Sequence, residues 1–535
     1  MKKANVKYMM GRIKSLVILC SLPLAAFGAT VDECIYPKNS AEDTEGILSK
    51  KYWQQWEAEM PKIDADIEKY RKADAEVKLE DVAPNSVVKI NQTTSDFIVG
   101  AAILRYNRAG SKDKNEFYRN MWGTIFNQAT VPFYWKFFEM VEGEMRFANA
   151  QWDEEEFLNK TPFRYSLPHY FTPASDEVVS YLRSRGVRIH GHPLFWGNKR
   201  WNIPEAEWLY ERYADSTAKK MLNGKVGSPY KTSIPFYVDD NYKKMSDADA
   251  EKYFLNYTEK MKQLVWERIE TFASHYGDAI NGWDIVNESM GDFNSGALSP
   301  DKKVCMSREY GVLFGDYTYK IFKKAENTLP KNTVFSINDY NIKNYVLHIK
   351  DLLKRGCKID MVGYQRHLWN FGEMQRIAAG SEHIGGHWEI SSQRKVLGEL
   401  DALDIPIHIS EVTILPTERT PRGYKAQAAI LRNYYKLWFS VKNMAGITYW
   451  RTLDTPDKYA INPDEPYFAS ILDANAEKRP AYYAIDDLIN KEWKTRMELK
   501  PDADGVVKFR GFKGKYSIQW IDTSGNSREK IVHVR

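Results

Sequence analysis

The sequence has little cysteine, and what it has is not arranged in a pattern that binds metal. It contains 4 cysteines in 535 residues. Three of them, Cys34, Cys305 and Cys357, lie beyond the amino-terminal segment, so they cannot all pair within one chain and at most one disulfide is expected. No Cys-x-x-Cys spacing indicates a metal site. The fold therefore depends on its apolar core rather than on disulfide cross-links.

An excess of charge of one sign is also lacking once the amino terminus is set aside. The whole chain has 76 Lys and Arg residues and 71 Asp and Glu residues. Residues 1–28 contain no acid and five basic residues: Lys2, Lys3, Lys7, Arg12 and Lys14. Without these five, 71 basic residues balance 71 acidic ones. This balance gives no support to binding of nucleic acid or of an anionic membrane.

A long hydrophobic run is the third absence. The apolar run of residues 16–27 follows the basic amino terminus and is too short to span a membrane. Small residues, Ala26 and Gly28, occupy positions −3 and −1 of a cleavage site. Residues 1–28 are therefore typical of a signal peptide, and we expect the mature protein to be exported to the periplasm, the cell surface or the medium.

Aromatic residues are abundant, at 14% of the chain, with 16 Trp and 33 Tyr. One interpretation is packing in the core and on the surface. The other is carbohydrate binding, because flat rings stack on the apolar faces of sugars. Composition leaves both interpretations open, while the hydrophobic content of 43% and charged content of 27% are those of an ordinary globular protein.

Short strand-like runs recur along the chain, and helical stretches such as residues 250–276 and 424–441 separate most of them. Eight strands alternating with helices predict a parallel sheet closed into a (β/α)8 TIM barrel, an α/β fold. An open, doubly wound sheet is the alternative, but polar residues follow nearly every run, as a ring of loops around one barrel mouth requires. The runs are residues 97–103, 124–130, 188–195, 282–288, 334–340, 361–367, 406–411 and 446–452.

Two further segments flank the catalytic barrel, which we assign to residues 96–492. Residues 29–95 are predicted to form an extension with a polar helix at 50–72 and strands within 77–92, and residues 493–535 a β-strand segment. We expect the two segments to pair into one small β-rich accessory domain, because about 40 residues make too small a core to fold alone. A long polar loop, residues 223–246, is predicted to extend a wall of the cleft.

Two of the strand-like runs, Trp283–Glu288 and Ile407–Glu411, end on a glutamate. A strand that crosses a core and stops on a carboxylate places it at the rim, where substrate has access. Two such strands can face two carboxylates across a cleft, as glycoside hydrolysis requires. A single strand-end glutamate is more often a salt-bridge partner, so the interpretation depends on its neighbours.

The neighbours are found at the carboxyl ends of the other strands, where the active site of a (β/α)8 barrel lies. They supply amides, imidazoles and indoles, with no metal-ligand spacing and no glycine-rich phosphate loop. This set indicates a sugar site with no metal and no cofactor. Its members are Lys136, His192, Trp196, Asn287, Glu288, Asn338, Asp339, Tyr340, Asn341, Gln365, His367, Glu411 and Trp450.

At these residues the sequence resembles glycoside hydrolase family 10, the retaining endo-β-1,4-xylanases. The resemblance extends over residues 97–490. The motifs, in order, are Gly191–Trp196 for G-H-x-L-x-W, Trp283–Glu288 for W-D-x-V-N-E, Ile337–Asn341 for I-N-D-Y-N, Gly363–His367 for G-x-Q-x-H, Ser410-Glu411 for T-E and Arg479–Tyr483 for K-P-A-Y-Y.

The resemblance implies a polysaccharide or oligosaccharide substrate and a role for each matching residue. Glu288 would be the general acid/base and Glu411 the nucleophile, about 5–5.5 Å apart as retention requires. Asn287 would bond the 2-hydroxyl of the sugar at subsite −1, and His367 would bond Glu411. His192 could also be a core histidine, and Trp450 could also pack the barrel. The other substrate-binding candidates are Lys136, His192, Trp196, Tyr340, Gln365 and Trp450.

The sequence departs from the family pattern around this dyad. Pro132 and Phe133 stand where the family has Glu-Asn, whose side chains bond the −2 xylose. Each unbonded hydroxyl at a buried site costs about 1–3 kcal/mol, so ordinary xylan is expected to bind weakly there. Gly197 replaces a histidine, Thr413 replaces an aspartate that pairs with the histidine of the sixth strand, and Arg451 replaces a glycine.

These departures predict altered specificity, with Phe133 and Arg451 as the specificity residues. One hypothesis is that Arg451 contacts an acidic substituent, such as a uronic acid, on a decorated xylan. The alternative is that Arg451 pairs with Asp454 or Asp457 and has no role toward substrate.

Two rival functions stay open. The chain could be a carbohydrate-binding barrel whose catalysis has decayed, although binding alone does not need two spaced glutamates together with Asn287 and His367. It could also be a retaining β-glycosidase that acts on a glucan or a galactan.

Overall fold

The computed structural model describes residues 35–139, 141–148, 174–198, 202–204, 208–216, 245–307, 309–454 and 468–535. The predicted signal peptide, Cys34, Asp457 and most of the predicted loop 223–246 lie outside these residues. Cys305 and Cys357 are both buried as thiols. None of the described helices combines the length and the apolar character needed to cross a membrane.

Strands and helices alternate along most of the chain. The strands are β1 (Lys72–Lys78), β2 (Val88–Gln92), β3 (Ile98–Ala102), β4 (Gln128–Pro132), β5 (Arg188–His192), β6 (Phe195–Trp196), β7 (Gly282–Asn287), β8 (Val304–Ser307), β9 (Gly311–Phe314), β10 (Val334–Asp339), β11 (Met361–Leu368), β12 (Ile407–Ile414), β13 (Met444–Tyr449), β14 (Arg496–Leu499), β15 (Val506–Phe512), β16 (Gly514–Ile521) and β17 (Ser527–Val534). The helices are α1 (Lys50–Arg71), α2 (Lys112–Asn120), α3 (Trp135–Phe138), α4 (Ser175–Ser184), α5 (Tyr210–Tyr213), α6 (Asp247–Tyr276), α7 (Met290–Asn294), α8 (Tyr317–Thr328), α9 (Tyr345–Lys354), α10 (Phe371–Ala378), α11 (Ile390–Asp401), α12 (Pro421–Phe439) and α13 (Pro480–Asp486).

Eight of the strands form a closed parallel barrel, in the order β3, β4, β5, β7, β10, β11, β12 and β13. The ring closes because β13 pairs in parallel with β3. The short strand β6 pairs with the end of β7 at the mouth. The predicted (β/α)8 fold is confirmed, and closure excludes the open, doubly wound sheet.

Local sequence explains both kinds of element. Every residue of β4, β7 and β12 is buried, because one face of a barrel strand packs in the interior and the other packs under helices. Helix α12 begins after Thr420, whose side chain accepts a hydrogen bond from the N–H of Gly423, and Pro421 occupies the first turn. An N-cap threonine followed by proline is a favoured helix start.

The second barrel strand is displaced from its prediction, since β4 begins at Gln128 and not at residue 124. Residues 121–126 form a turn, in which the N–H groups of Ile125 and Phe126 donate to the carbonyl of Met121 at 2.9 and 3.0 Å. Both side chains are buried. A short apolar run has the same appearance in a buried turn and in a strand, which explains the error.

The segments before and after the barrel pair into a small β-rich domain, as predicted. Strand β2 lies between β14 and β16, β17 pairs with β16, and β1 pairs with β15. The domain has an apolar cluster of its own, and the described residues from Tyr36 onward form one compact unit. The cluster contains Val77, Leu79, Val88, Ile90, Val507, Phe509, Tyr516, Ile518, Trp520 and Val534.

Candidate active site

A cleft of about 900 Å³ opens at the carboxyl ends of the barrel strands. Most of the site residues predicted from the sequence line it, although they come from six different barrel strands and their loops. They are His192, Trp196, Asn287, Glu288, Tyr340, Gln365, His367, Glu411, Trp450 and Arg451.

Glu288 directly follows β7 and has a left-handed backbone conformation, with φ of 55°. This conformation is uncommon for a residue with a side chain. It is held by a hydrogen bond from the N–H of Glu288 to the carbonyl of Asn338 on β10, at 2.8 Å. The strand therefore ends at this residue, and Glu288 becomes part of the cleft wall.

The carboxyl group of Glu288 accepts two hydrogen bonds. Gln365 Nε2 donates to Oε1 and the hydroxyl of Tyr310 donates to Oε2, each at 3.0 Å. Burial, together with the charge of Glu411, raises the pKa of Glu288 to about 7, even though both hydrogen bonds favour the ionised form. A carboxyl with this pKa can both donate and accept a proton near neutral pH.

Glu411 on β12 is surrounded by side chains from three other strands. Asn338 Nδ2 donates to Oε1 at 2.8 Å, and His367 Nε2 lies 3.0 Å from Oε2. His192 Nε2 lies 3.9 Å from Oε1. Because both oxygens have partners, the carboxylate is held in one orientation at the base of the cleft.

Asn287 links the two glutamates. Its Oδ1 accepts hydrogen bonds from Asn338 Nδ2 at 2.8 Å and from Gln365 Nε2 at 3.2 Å. The same two amides donate to Glu411 and Glu288 respectively. One network of amides thus fixes the positions of both carboxylates. Asn338, which was noted at a strand end without a role, is a member of this network.

A buried chain of alternating imidazole and carboxylate groups supports His192. Its Nδ1 lies 2.7 Å from Asp284 Oδ2, and His190 Nε2 lies 3.1 Å from Asp284 Oδ1. Although burial opposes charge, the two histidines hold the pKa of Asp284 well below its usual range. Burial also opposes the charge of His192, but Asp284 raises the pKa of His192 above its ordinary value. His192 is therefore both a buried core histidine and a cleft residue.

His367 has a neutral hydrogen-bond partner on the side away from Glu411. Its Nδ1 lies 2.9 Å from the hydroxyl of Thr413. The ring of Trp369 stacks on His367 with ring centroids 4.8 Å apart. Trp450 packs its edge on His192, with centroids 5.1 Å apart, and also lines the cleft. Trp450 therefore packs within the site and also lines the cleft, and its contact with sugar stays a prediction.

Two predicted site residues are not on the cleft wall. Phe133 is fully buried, and its ring packs against Trp283, with centroids 4.9 Å apart, and against Phe272, with centroids 5.1 Å apart. The ring does not line the cleft, because the chain leaves β4 at Pro132 and turns it into the apolar core, and a role of Phe133 in specificity stays a prediction. Tyr134 lines the cleft in its place.

Lys136 is the second predicted site residue that does not line the cleft. It lies in the short helix α3 and is fully buried, and its N–H donates to the carbonyl of Asn202 at 2.5 Å. Among the residues described, the cleft lining includes Phe137 beside it but not Lys136. The structure therefore places Lys136 beneath the described cleft lining, and its assignment to sugar binding stays a prediction.

Several residues of the site were missed from the sequence. Tyr310 lies in the connection between β8 and β9, far from any barrel strand in the sequence, so no pattern joined it to Glu288. Trp369 could have been found, since it follows His367 by two positions. Trp369 and Tyr340 are 40% and 48% exposed on the cleft wall, which suits aromatic rings that stack on sugars.

Metal chemistry has no evident ligand set in the described part of the chain. No group of three His, Cys, Asp or Glu side chains is placed there to hold a metal ion. The chemistry that the cleft offers is proton transfer and nucleophilic attack by carboxylates.

Comparison with known proteins agrees with this chemistry. The profile of the family described as "Glycosyl hydrolase family 10" matches residues 95–488. The chain belongs to glycosyl hydrolase family 10. This membership makes it a glycoside hydrolase, and the family boundary coincides closely with the barrel described above.

Individual relatives of this family 10 member are distant. "Endo-1,4-beta-xylanase B" of Paenibacillus barcinonensis is 22% identical over 335 residues, which cover 59% of this chain and 81% of the relative. "Endo-1,4-beta-xylanase B" of Thermotoga neapolitana is 27% identical over 252 residues, covering 44% of this chain and 64% of the relative. Among solved structures, xylanase 10B from Thermotoga petrophila RKU-1 is 19% identical, with a TM-score of 0.46, covering 74% of this chain and 95% of that one.

Proposed function

We propose that this family 10 glycoside hydrolase cleaves β-1,4-xylosidic bonds in xylan or a decorated xylan, with retention of configuration. The observation that supports it most is the linkage of Glu288 and Glu411 through Asn287, with the pKa of Glu288 raised to about 7. The names of the relatives, endo-1,4-β-xylanases, supply the substrate class.

In the first step, Glu411 attacks the anomeric carbon of the sugar at subsite −1. The bond from this carbon to the glycosidic oxygen breaks, and protonated Glu288 gives its proton to that oxygen. The products are a covalent glycosyl-enzyme and a shortened chain. The amide of Asn287 bonds the 2-hydroxyl, a contact that strengthens as the transition state forms.

In the second step, Glu288 acts as a base. Formation of the glycosyl ester removes the charge of Glu411, which is one of the causes that raise the pKa of Glu288. The pKa of Glu288 therefore falls, so that it can take a proton from water as the water attacks the anomeric carbon. The bond to Glu411 breaks, and the sugar leaves with its original configuration.

An acidic decoration fits the charge of the cleft. Besides the dyad, its described lining includes the cations Arg105, Lys343, Arg366 and Arg451 and the anion Glu373. The guanidinium of Arg451 lies 5.5 Å from the ring centroid of Trp369. Asp454 forms an ion pair with Arg479 at 2.6 Å, and Asp457 lies outside the described residues, so the pairing of Arg451 with an acidic residue stays the alternative prediction. We propose that this wall accepts a uronic acid carried by the xylan.

Product analysis over a panel of β-glycans tests the function. The panel contains plain xylan, glucuronate-bearing xylan, a β-glucan and a β-galactan. We expect xylo-oligosaccharides from the xylans, and release of the β anomer first in proton NMR spectra. Glu411→Ala should abolish activity, whereas Glu373→Ala, a change of another cleft glutamate, should not.

Each contrary outcome has a clear meaning. Release from the glucan or the galactan alone would replace the substrate class. Initial release of the α anomer would exclude retention. Binding of xylan with no hydrolysis by the wild type would favour the decayed, carbohydrate-binding barrel.

We also propose that the enzyme is exported, on the basis of residues 1–28. Amino-terminal sequencing of protein recovered outside the cytoplasm should find a chain that begins at Ala29. Recovery only of an uncleaved cytoplasmic chain would contradict export.

A further inference from the structure

A hairpin outside the barrel contributes a hydroxyl group to the active site. Strands β8 and β9 pair antiparallel, and their connection carries Tyr310. The side chain of Tyr310 is 5% exposed, and its hydroxyl donates to Glu288 Oε2 at 3.0 Å. Among the described residues, Tyr310 is the only hydrogen-bond partner of Glu288 Oε2, and it lies outside the barrel strands and the turns that follow them.

We propose that Tyr310 is a positioning residue for Glu288, and that Gly197 provides the space that lets its ring reach the carboxyl. The proposal rests on the proposed function, in which Glu288 is the acid/base, and assigns the orientation of that carboxyl to an element outside the barrel. Tyr310 acts through Glu288, because its ring is not part of the described cleft lining.

The phenol group is itself held in place by the cleft wall. Trp196 Nε1 donates to the hydroxyl oxygen of Tyr310 at 3.3 Å. Since this oxygen accepts from the indole, its own hydrogen is directed to Glu288. Trp196 also lines the cleft, so a chain of two hydrogen bonds connects the wall of the sugar site to the acid/base. On the other carboxyl oxygen, Gln365 completes the support.

Gly197 is the residue next to Trp196, and its lack of a side chain is what admits the tyrosine. A Cβ atom at position 197 would lie 2.6 Å from Tyr310 Cδ2 and 2.9 Å from Leu313 Cδ1. Both distances are shorter than carbon atoms tolerate without movement. Tyr310 and Leu313 belong to the same hairpin, so any larger residue would displace the hairpin from Glu288.

The hydrogen bond has a consequence for proton transfer. A donor to a carboxyl oxygen stabilises the ionised form, so Tyr310 lowers the pKa of Glu288 against the larger effect of burial. Loss of the hydroxyl should raise the pKa of Glu288 further. Because the first step needs protonated Glu288, kcat/KM falls as pH rises through this pKa, and the loss should move that fall to higher pH.

Other titratable groups face the same pair and must stay unchanged in the test. Glu411 on β12 and His192 on β5 act on Glu288. Glu309, beside Tyr310, and Asp339 on β10 act on Tyr310. A variant that keeps the ring of Tyr310 leaves these four groups in place, so the shift in pH profile reports the hydroxyl alone.

The test compares Tyr310→Phe and Gly197→Ala with two matched controls. Tyr317→Phe removes another buried hydroxyl, one that donates to Asp292 at 2.9 Å. Gly398→Ala adds a Cβ where no atom lies within 4 Å. The readouts are the pH profile of kcat/KM on a soluble xylo-oligosaccharide and an infrared titration of ¹³C-labelled glutamate, with Glu288→Gln to assign the band.

We expect Tyr310→Phe to move the alkaline limb and the Glu288 band to higher pH by roughly one unit, because the variant loses a hydrogen bond that stabilises the ionised carboxyl. Gly197→Ala should show a shift in the same direction. The double variant, with both Tyr310→Phe and Gly197→Ala, should show a shift no greater than the larger of the two single shifts. An unshifted limb and band in Tyr310→Phe would overturn the role of Tyr310. Equal behaviour of Gly197→Ala and Gly398→Ala would overturn the role of Gly197.

The infrared readout separates this inference from the proposed function. A shifted Glu288 band in a protein that hydrolyses no xylan would leave the positioning role intact and remove the xylanase assignment. Hydrolysis of xylan with no shift in either readout would support the xylanase assignment and overturn the positioning role of Tyr310.

Discussion

Two glutamates of the same cleft have different surroundings, and the difference suits different roles. Glu288 is buried beside the charge of Glu411, which raises the pKa of Glu288 to about 7. Glu411 has an amide donor on one oxygen and His367 on the other, with His192 nearby. A pair of carboxyls whose environments differ in this way is the arrangement that separates an acid from a nucleophile.

Arg451 gives the residue-scale prediction. Arg451→Gly should lower the ratio of kcat/KM on glucuronate-bearing xylan to that on plain xylan by about fivefold, because an exposed ion pair contributes about 1 kcal/mol. Arg419→Gly is the matched control, since Arg419 also lies over an aromatic ring, 3.6 Å from the centroid of Phe468. Equal ratios for wild type and Arg451→Gly would refute a substrate role.

The residues that could be predicted are those whose position in a strand fixes their position in space. Asn287 ends β7 and Glu288 follows it, whereas Gln365, His367 and Glu411 lie in the carboxyl-terminal halves of β11 and β12. Parallel strands bring these parts to one face of the barrel, where all five residues line the cleft. Tyr310 could not be predicted in this way. Its contact with Glu288 depends on how the β8–β9 hairpin folds back and on the space at Gly197.

At the scale of elements, the exit from β4 shows how one turn decides which side chains reach the cleft. The strand ends at Pro132, and the next two residues have opposite environments. Phe133 packs on Phe272 of α6 and Trp283 of β7, whereas Tyr134 lines the cleft with its ring 5.6 Å from that of His192. Alternation in a strand predicts the direction of a side chain only as far as the strand continues.

The element-scale prediction contrasts these neighbours. Phe133→Ala should lower the free energy of unfolding by about 3–5 kcal/mol, as expected when a buried phenyl ring is deleted, and leave the pattern of xylan products unchanged. Tyr134→Ala should change KM or the product pattern with a smaller loss of stability. Denaturant unfolding and product chromatography measure both effects. A changed product pattern in folded Phe133→Ala would support its assignment as a specificity residue.

At the scale of the whole molecule, Arg71 joins three parts of the protein. It is the last residue of α1, and β1 of the accessory domain follows it. Its guanidinium donates to the carbonyls of Phe439 and Met444 of the barrel, at 2.6 and 2.8 Å. Its own carbonyl accepts from the N–H of Lys513 in the accessory domain, at 2.9 Å. Burial lowers the pKa of Arg71 to about 10, so it stays charged at neutral pH.

This junction gives the whole-molecule prediction. Arg71→Met should lower the free energy of unfolding by about 1–3 kcal/mol, because the buried carbonyls of the barrel lose their hydrogen-bond donors. The kcat/KM of the folded enzyme should not change, because Arg71 lies at the amino-terminal ends of the strands, opposite the dyad. Arg422→Met, which removes an exposed guanidinium that donates to the carbonyls of Glu45 and Gly46, should change stability by only about 0.5 kcal/mol or less. Thermal unfolding and xylan hydrolysis at 25 °C provide the two measurements.

The sequence by itself determined the alternation of strands and helices, the barrel and the strand-end residues of the cleft. It could do so because these depend on local periodicity and on the rule that parallel strands end on one face. It also indicated that the flanking strands pair, because neither segment could bury a core alone.

Only the tertiary structure decided the rest. Phe133 and Lys136 do not line the cleft, because the turn after β4, and not strand alternation, sets the directions of their side chains. Tyr310 contacts Glu288 because the β8–β9 hairpin packs over Gly197. The raised pKa of Glu288 depends on burial and on its distance from Glu411, which are properties of the folded chain. Contacts between residues distant in sequence arise from packing, and packing is not encoded in any single segment.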